Sequence, residues 1–131
     1  PVVRLLFEMF RFVSGSDYLT AERYRRHLGQ VMAAQFDTVD VIISPTMPLV
    51  AWTMGQREVE IGGAPESVLA VSWRLTYPWN LLGLPAISVP CGEADGLPVG
   101  IQIAGRAFDE AAVLRAAALV ETLLGRYRKA V

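Results

Sequence analysis

Between Thr76 and Gly92 the chain reads TYPWNLLGLPAISVPCG, where Pro78, Pro85 and Pro90, with Gly83 and Gly92, interrupt a run of large apolar side chains that carries no charge. Proline fixes φ and has no backbone donor, so no long helix passes through this stretch. The uncharged run from Leu75 to Gly92 is therefore not a helical membrane span. A short helical turn feeding a strand is the conformation left open. Pro78 suits the first position of a helix with Asn80 in that turn, Gly83 suits its stop, and Pro85 blocks continuation. Pro78 also predicts an extended Tyr77. The apolar side chains between these breakers must fill a core or line a pocket.

Hydrophobic spacing organises the rest. From Val2 to Val13 only Arg4, Glu8 and Arg11 are polar, at helical spacing, which predicts a helix buried almost all round. Gly15 is placed to end it and Ser16 to cap a second helix running to about Gln35. Tyr18, Ala21, the stem of Arg25, Leu28, Met32 and Phe36 form its inward stripe, and Glu22, Arg23 and Arg26 face outward. VDVIIS, Val39 to Ser44, reads as an interior strand apolar on both faces. PTMPLVAWTMGQREVEIGGAP reads as a long loop, of the kind that is functional or contacts another part of a protein. Helical patterning returns from about Glu66 to about Thr76. Ala86 to Cys91 and Val99 to Ala104 are strands joined at Asp95-Gly96, a hairpin signal. Asp109 caps a last helix packed through Ala112, Val113, Ala116, Leu119, Val120 and Leu123 and stopped by Gly125. The fold class is α/β, a mixed β-sheet flanked by helices, in a single segment spanning residues 1–131.

Composition narrows the chemistry. The chain is 53% hydrophobic and 19% charged, an apolar excess that fits a piece of a larger protein, whose contact surfaces count as core. It begins at Pro1 with neither an initiator methionine nor a leader, so its true start is expected elsewhere. A net charge of −1, with Arg23, Arg25 and Arg26 and then Arg126, Arg128 and Lys129 as the only basic clusters, implies no nucleic-acid partner. The two clusters read as solvated helix faces or a tail. One cysteine, Cys91, and one histidine, His27, make neither an internal disulfide nor a Cys/His metal site, so no metal and no cofactor is expected. Cys91 reads as a small buried apolar residue and His27 as a surface helix residue.

FDTVDVIISPTMP, followed by TYPWNLLGLPAISVPCGEADGLPVGIQIAGRAFDEAAVLRAAALVE, resembles the carboxyl-terminal part of amidase signature family enzymes, and SDYLTAERYRR fits the helix before it. The run of Asn80, Gly83, Leu84, Pro85, Ser88, Pro90 and Gly92 before GLPVGIQIAG carries the likeness. The resemblance implies hydrolysis of a carboxamide C–N bond by a serine relayed through a second serine to a lysine, with backbone N–H groups holding the oxyanion. A desolvated neutral lysine can serve as base and fixed donors stabilise the tetrahedral intermediate, so the design is chemically coherent. Those parts lie toward the amino end in the family. Here no serine stands in a Gly-Gly-Ser-Ser-Gly context and the only lysine is Lys129, so no catalytic residue is assigned and the chain alone is expected to be inactive.

What the resemblance leaves to this segment is scaffold and one wall of a substrate pocket. Trp52, Trp73, Tyr77 and Trp79 concentrate aromatic surface near two candidate pocket loops, stiffened by Pro45, Pro78 and Pro85, and Asn80 is a candidate polar contact. Substrate-binding roles are thus expected for Trp73, Tyr77, Trp79 and Asn80; the plain alternative is that the aromatics fill core. In the glutamine-using branch of the family an aspartate lies three residues before the threonine of a Thr-x-Pro-x-Asn frame. That frame is Thr76, Pro78 and Asn80 here, and the aspartate's place is taken by Trp73. A tryptophan does not neutralise an ammonium, which favours a small apolar or aromatic amide.

The first reading is therefore the carboxyl-terminal segment of a cytoplasmic amidase. Its partners would be the missing amino-terminal part and, through the complete enzyme, a small-molecule amide, with no nucleic acid or membrane; self-association as a homo-oligomer is a further option. A second reading is a non-catalytic binding or interaction module retaining the half-fold. A third, a small hydrolase using Lys129 or His27 to activate a serine, needs a terminal tail to fold back into a core.

Overall fold

A computed structural model describes residues 2–124. The elements run α1 (Val2–Phe10), α2 (Gly15–Gln35), β1 (Val41–Pro45), β2 (Glu58–Ile61), β3 (Ala64–Ser67), α3 (Val68–Trp73), α4 (Tyr77–Leu82), β4 (Ala86–Ala94), β5 (Leu97–Gly105) and α5 (Glu110–Leu123). The hairpin at Asp95-Gly96 organises the sheet. Both residues take left-handed backbone, φ 54 and φ 73, the geometry by which a two-residue turn matches the twist of its strands. β5 is central in the order β1-β5-β4, with both pairings antiparallel, and β2 and β3 form a separate hairpin.

One face of the sheet is closed by α5. Asp109 caps that helix by accepting from the Ala112 N–H at 3.2 Å. Val113 and Ala117 then pack on Val89 and Ile103, with Val41, Ile87 and Ile101 around them. Elsewhere α2 packs against α4. Arg106, just after β5, donates to the Phe36 carbonyl at 2.7 Å and so satisfies an orphan acceptor at the end of α2. α4 is the short helix expected at Pro78, ended by Gly83 in a left-handed conformation (φ 68).

Several expectations are corrected. The loop after β1 contains the β2–β3 hairpin, turned at Gly62 and Gly63; the alternation of Val59 and Ile61 was its signal. Tyr77 is the first residue of α4 rather than extended. Ser14, not Ser16, caps α2, accepting from the Asp17 N–H at 3.1 Å, and Gly15 opens that helix instead of closing the one before. β1 pairs with β5 alone and is an edge strand among the described residues, with Ile43 51% exposed. α1 is not buried: Val3, Phe7, Met9 and Phe10 are all exposed, because no other described element packs closely over them. The expected stripe of α2 is covered only in part: Phe36 is buried and Arg25 and Met32 are half-buried, whereas Tyr18, Ala21 and Leu28 are exposed. Glu22, placed outward by the pattern, is half-buried beside Arg25. In α5, Leu119 and Leu123 are exposed and Ala117 is buried in their stead. Gly125, the expected stop of α5, lies outside the described residues.

The surface is correspondingly large. The chain exposes 10019 Å², well above the about 6,800 Å² that a folded monomer of this mass presents. Exposed large apolar side chains stand on α1, α2 and α5.

Candidate functional site

Opposite α5 the sheet carries a polar row. Ser44, Gln102 and Ser88 are in register across β1, β5 and β4. Alternation along a strand turns them away from Ile103 and the α5 core. Gln102 is only 4% exposed and is the one buried polar side chain among the described residues. Its Nε2 donates to the Leu75 carbonyl at 2.9 Å and to Ser44 Oγ at 3.2 Å. The turn between α3 and α4, residues 74–76, is thereby tied to the middle of the sheet.

The residues expected to contact substrate flank that turn. Trp73 ends α3 and is 47% exposed, and Tyr77 opens α4 and is 56% exposed. Asn80 is exposed, and its Nδ2 donates back to the Thr76 carbonyl at 3.4 Å. Trp79 departs from the group: it is buried, and its Nε1 meets no hydrogen-bond partner among the described residues. Trp73, Tyr77 and Asn80 thus share one connection, while Trp79 seats it.

A cavity of about 720 Å³ lies between β1, residues 47–52 and the β4–β5 hairpin. Met47, Leu49, Trp52, Cys91, Val99 and Ile101 help to line it, and the wall is mainly apolar. Trp52 belongs to this cavity; Trp73, Tyr77, Trp79 and Asn80 do not line it. Cys91 is half-buried, its thiol directed to the Val99 carbonyl at 3.6 Å.

Charge is paired at the periphery. Arg74, at the end of α3, makes a two-pronged contact with Glu66 of β3. Those hydrogen bonds hold the Glu66 carboxyl below the usual carboxylate range and raise the Arg74 guanidinium. Glu22 and Arg25 do the same along α2, with both bonds at 2.9 Å.

No described hydroxyl is coupled to a histidine base. His27 is exposed on α2 and none of the described serines bonds to it. Ser14 donates to Asp17 at 2.6 Å, but at an exposed helix cap. Lys129 lies outside the described residues. No group of three or more His, Cys, Asp or Glu that could hold a metal ion occurs among the described residues, and none of the described helices is long and apolar enough to cross a membrane. The row that the residue pattern did not reveal is Ser44, Gln102 and Ser88. Its one sequence signal is a glutamine inside the apolar strand GIQIAG.

The amidase family model matches residues 2–114. The fatty acid amide hydrolase of Medicago truncatula is 37% identical over 127 residues, 96% of this chain and 21% of that protein. A component of the glutamyl-tRNA(Gln) amidotransferase of Synechococcus sp. (strain JA-2-3B'a(2-13)) is 43% identical over 100 residues, 76% of this chain and 18% of that protein. Among solved structures, an amidase superposes with a TM-score of 0.90 at 30% identity, covering 95% of this chain and 29% of that one. The corresponding glutamyl-tRNA(Gln) amidotransferase component of Thermotoga maritima gives 0.70 at 32% identity, covering 91% and 26%. The chain spans about a fifth of the length of the curated relatives it matches.

Proposed function

The chain belongs to the amidase family, and from that membership we propose that it is the carboxyl-terminal segment, residues 1–131, of an amidase that hydrolyses a carboxamide C–N bond. In this reading the segment supplies scaffold and one wall of the substrate pocket, and the serine and base reside on the remaining polypeptide. The observation that carries it is the exposed apolar surface of α1, α2 and α5, which a self-contained module would bury. That surface also speaks against the stand-alone binding module.

Trp73, Tyr77 and Asn80 form the wall, with Trp79 seating it from below. An aromatic wall with a single amide group suits a small apolar or aromatic amide and carries no carboxylate to neutralise an ammonium. Both fatty acid amide hydrolases and amidotransferase components are similar to this chain, and the former align over the longer span. In this reading the enzyme is cytoplasmic.

Assaying the complete protein against aryl amides, alkyl amides and glutamine tests this. Turnover of aryl or alkyl amides is expected, with none by residues 1–131 alone. Preference for glutamine would overturn the substrate class, and no amide turnover at all would overturn the amidase reading.

A further inference from the structure

Gln102 uses the hydrogens of its amide on partners far away in sequence, Ser44 Oγ and the Leu75 carbonyl. A buried amide that loses its partners keeps its full desolvation cost, so these bonds hold the groups they join. Leu75 sits in the turn between Trp73 and Tyr77. Its carbonyl lies just beyond α3, where helix ends leave acceptors without intrahelical partners. Other ties on this connection include the Glu66–Arg74 pair at the surface, the Asn80 bond to the Thr76 carbonyl, and the buried side chains of Val71 and Trp79 on either side of it. None of those hydrogen bonds reaches the three-stranded sheet. Gln102 does, from the middle strand, which is itself braced by hydrogen bonds on both edges.

We propose that Gln102 is a positioning residue that sets where Trp73 and Tyr77 stand over the sheet, and so decides how bulky an amide the complete enzyme accepts. The specificity half of this rests on reading Trp73 and Tyr77 as pocket wall; the clamp itself does not. A side chain that merely filled space would affect all substrates and all segments alike.

The test compares Q102M, which keeps the length and loses both donors, with Q102E in the complete protein. Hydrogen exchange is followed by mass spectrometry in residues 73–82 and in α5 as a control. KM and kcat are measured for a small and a bulky aryl amide. In Q102M, exchange in residues 73–82 should rise about 5- to 10-fold over any change in α5, as loss of such bonds from a local opening unit implies. KM for the bulky amide should rise by a similar factor, with kcat and the small amide within about twofold. Q102E presents a carboxylate to the Leu75 carbonyl, so it should behave like Q102M at high pH and return toward wild type as protonation restores a donor. It keeps the test decisive if Q102M does not accumulate. Exchange in residues 73–82 rising no more than in α5 overturns the clamp. KM and kcat moving equally for both amides overturns the specificity role. If the protein turns over no amide, the exchange measurement still decides the clamp while the enzymatic reading falls separately.

Discussion

The hydroxyls of Thr46 and Ser88 lie 2.6 Å apart beside Gly100, where an added Cβ would stand 2.7 Å from Ser88 Oγ and 3.0 Å from Thr46 Oγ1. The hydrogen bond thus occupies the space a side chain at Gly100 would need. Gly100→Ala forces Ser88 to rotate and break the bond, or forces the strands apart. Overpacking of this kind costs about 1–3 kcal/mol, readable as a lowered denaturant midpoint at unchanged slope. Ser88→Ala in the same chain removes the obstructing oxygen, so the double variant should be more stable than the sum of the two single changes implies.

Asp109 is the only side-chain cap on α5, the helix whose Val113 and Ala117 pack on Val89 and Ile103. Asp109→Ala should cost about 1 kcal/mol, and Asp109→Ser much less, since a serine hydroxyl also accepts at this position. Equal losses in both variants, measured by urea unfolding, would show that the cap bond contributes nothing.

The Glu66–Arg74 pair makes stability depend on pH with a definite sign. Arg74 lowers the carboxyl pKa of Glu66 in the folded chain. The contribution is therefore present above the unfolded carboxylate value and is lost as pH falls through the lowered folded value. Both groups are partly exposed, so the effect is small and weakens with salt. Glu66→Gln should lower the melting temperature slightly at neutral pH and not at all at strongly acid pH. A difference that grew on acidification would reverse the assignment.

Phe7 and Phe10 on α1 test whether the exposed face is covered elsewhere. Both are more than half exposed, so Phe7→Asp and Phe10→Asp should leave unfolding of the 131-residue chain within about 0.5 kcal/mol, as surface changes do. In the complete protein the same changes should each cost several-fold more, through burial of an unpaired charge. Equal effects in the two settings, compared by thermal unfolding, would leave α1 a true surface helix.

Punctuation was legible where chemistry is local. Pro78 and Gly83 bound α4, Asp95-Gly96 turns the β4–β5 hairpin, and Asp109 starts α5, because each acts through its own φ or through a group within three residues. The amidase likeness was legible for a similar reason, since the motif around Asn80 to Gly92 is contiguous. Tyr77 shows the limit. The bias imposed by the following proline gave way to the start of α4, whose Trp79 is buried.

Apolar patterning by itself predicted a helix over Val2 to Val13 and a strand over Val39 to Ser44, and these elements stand at Val2–Phe10 and Val41–Pro45. It does not report what lies against the apolar side, and only the tertiary structure decided that α1 is uncovered in this chain and that β1 is an edge. The Gln102 clamp was undecidable from the residues for the same physical reason. Its partners, Ser44 and Leu75, are 58 and 27 positions away, brought within hydrogen-bond reach by strand pairing and the α3–α4 turn.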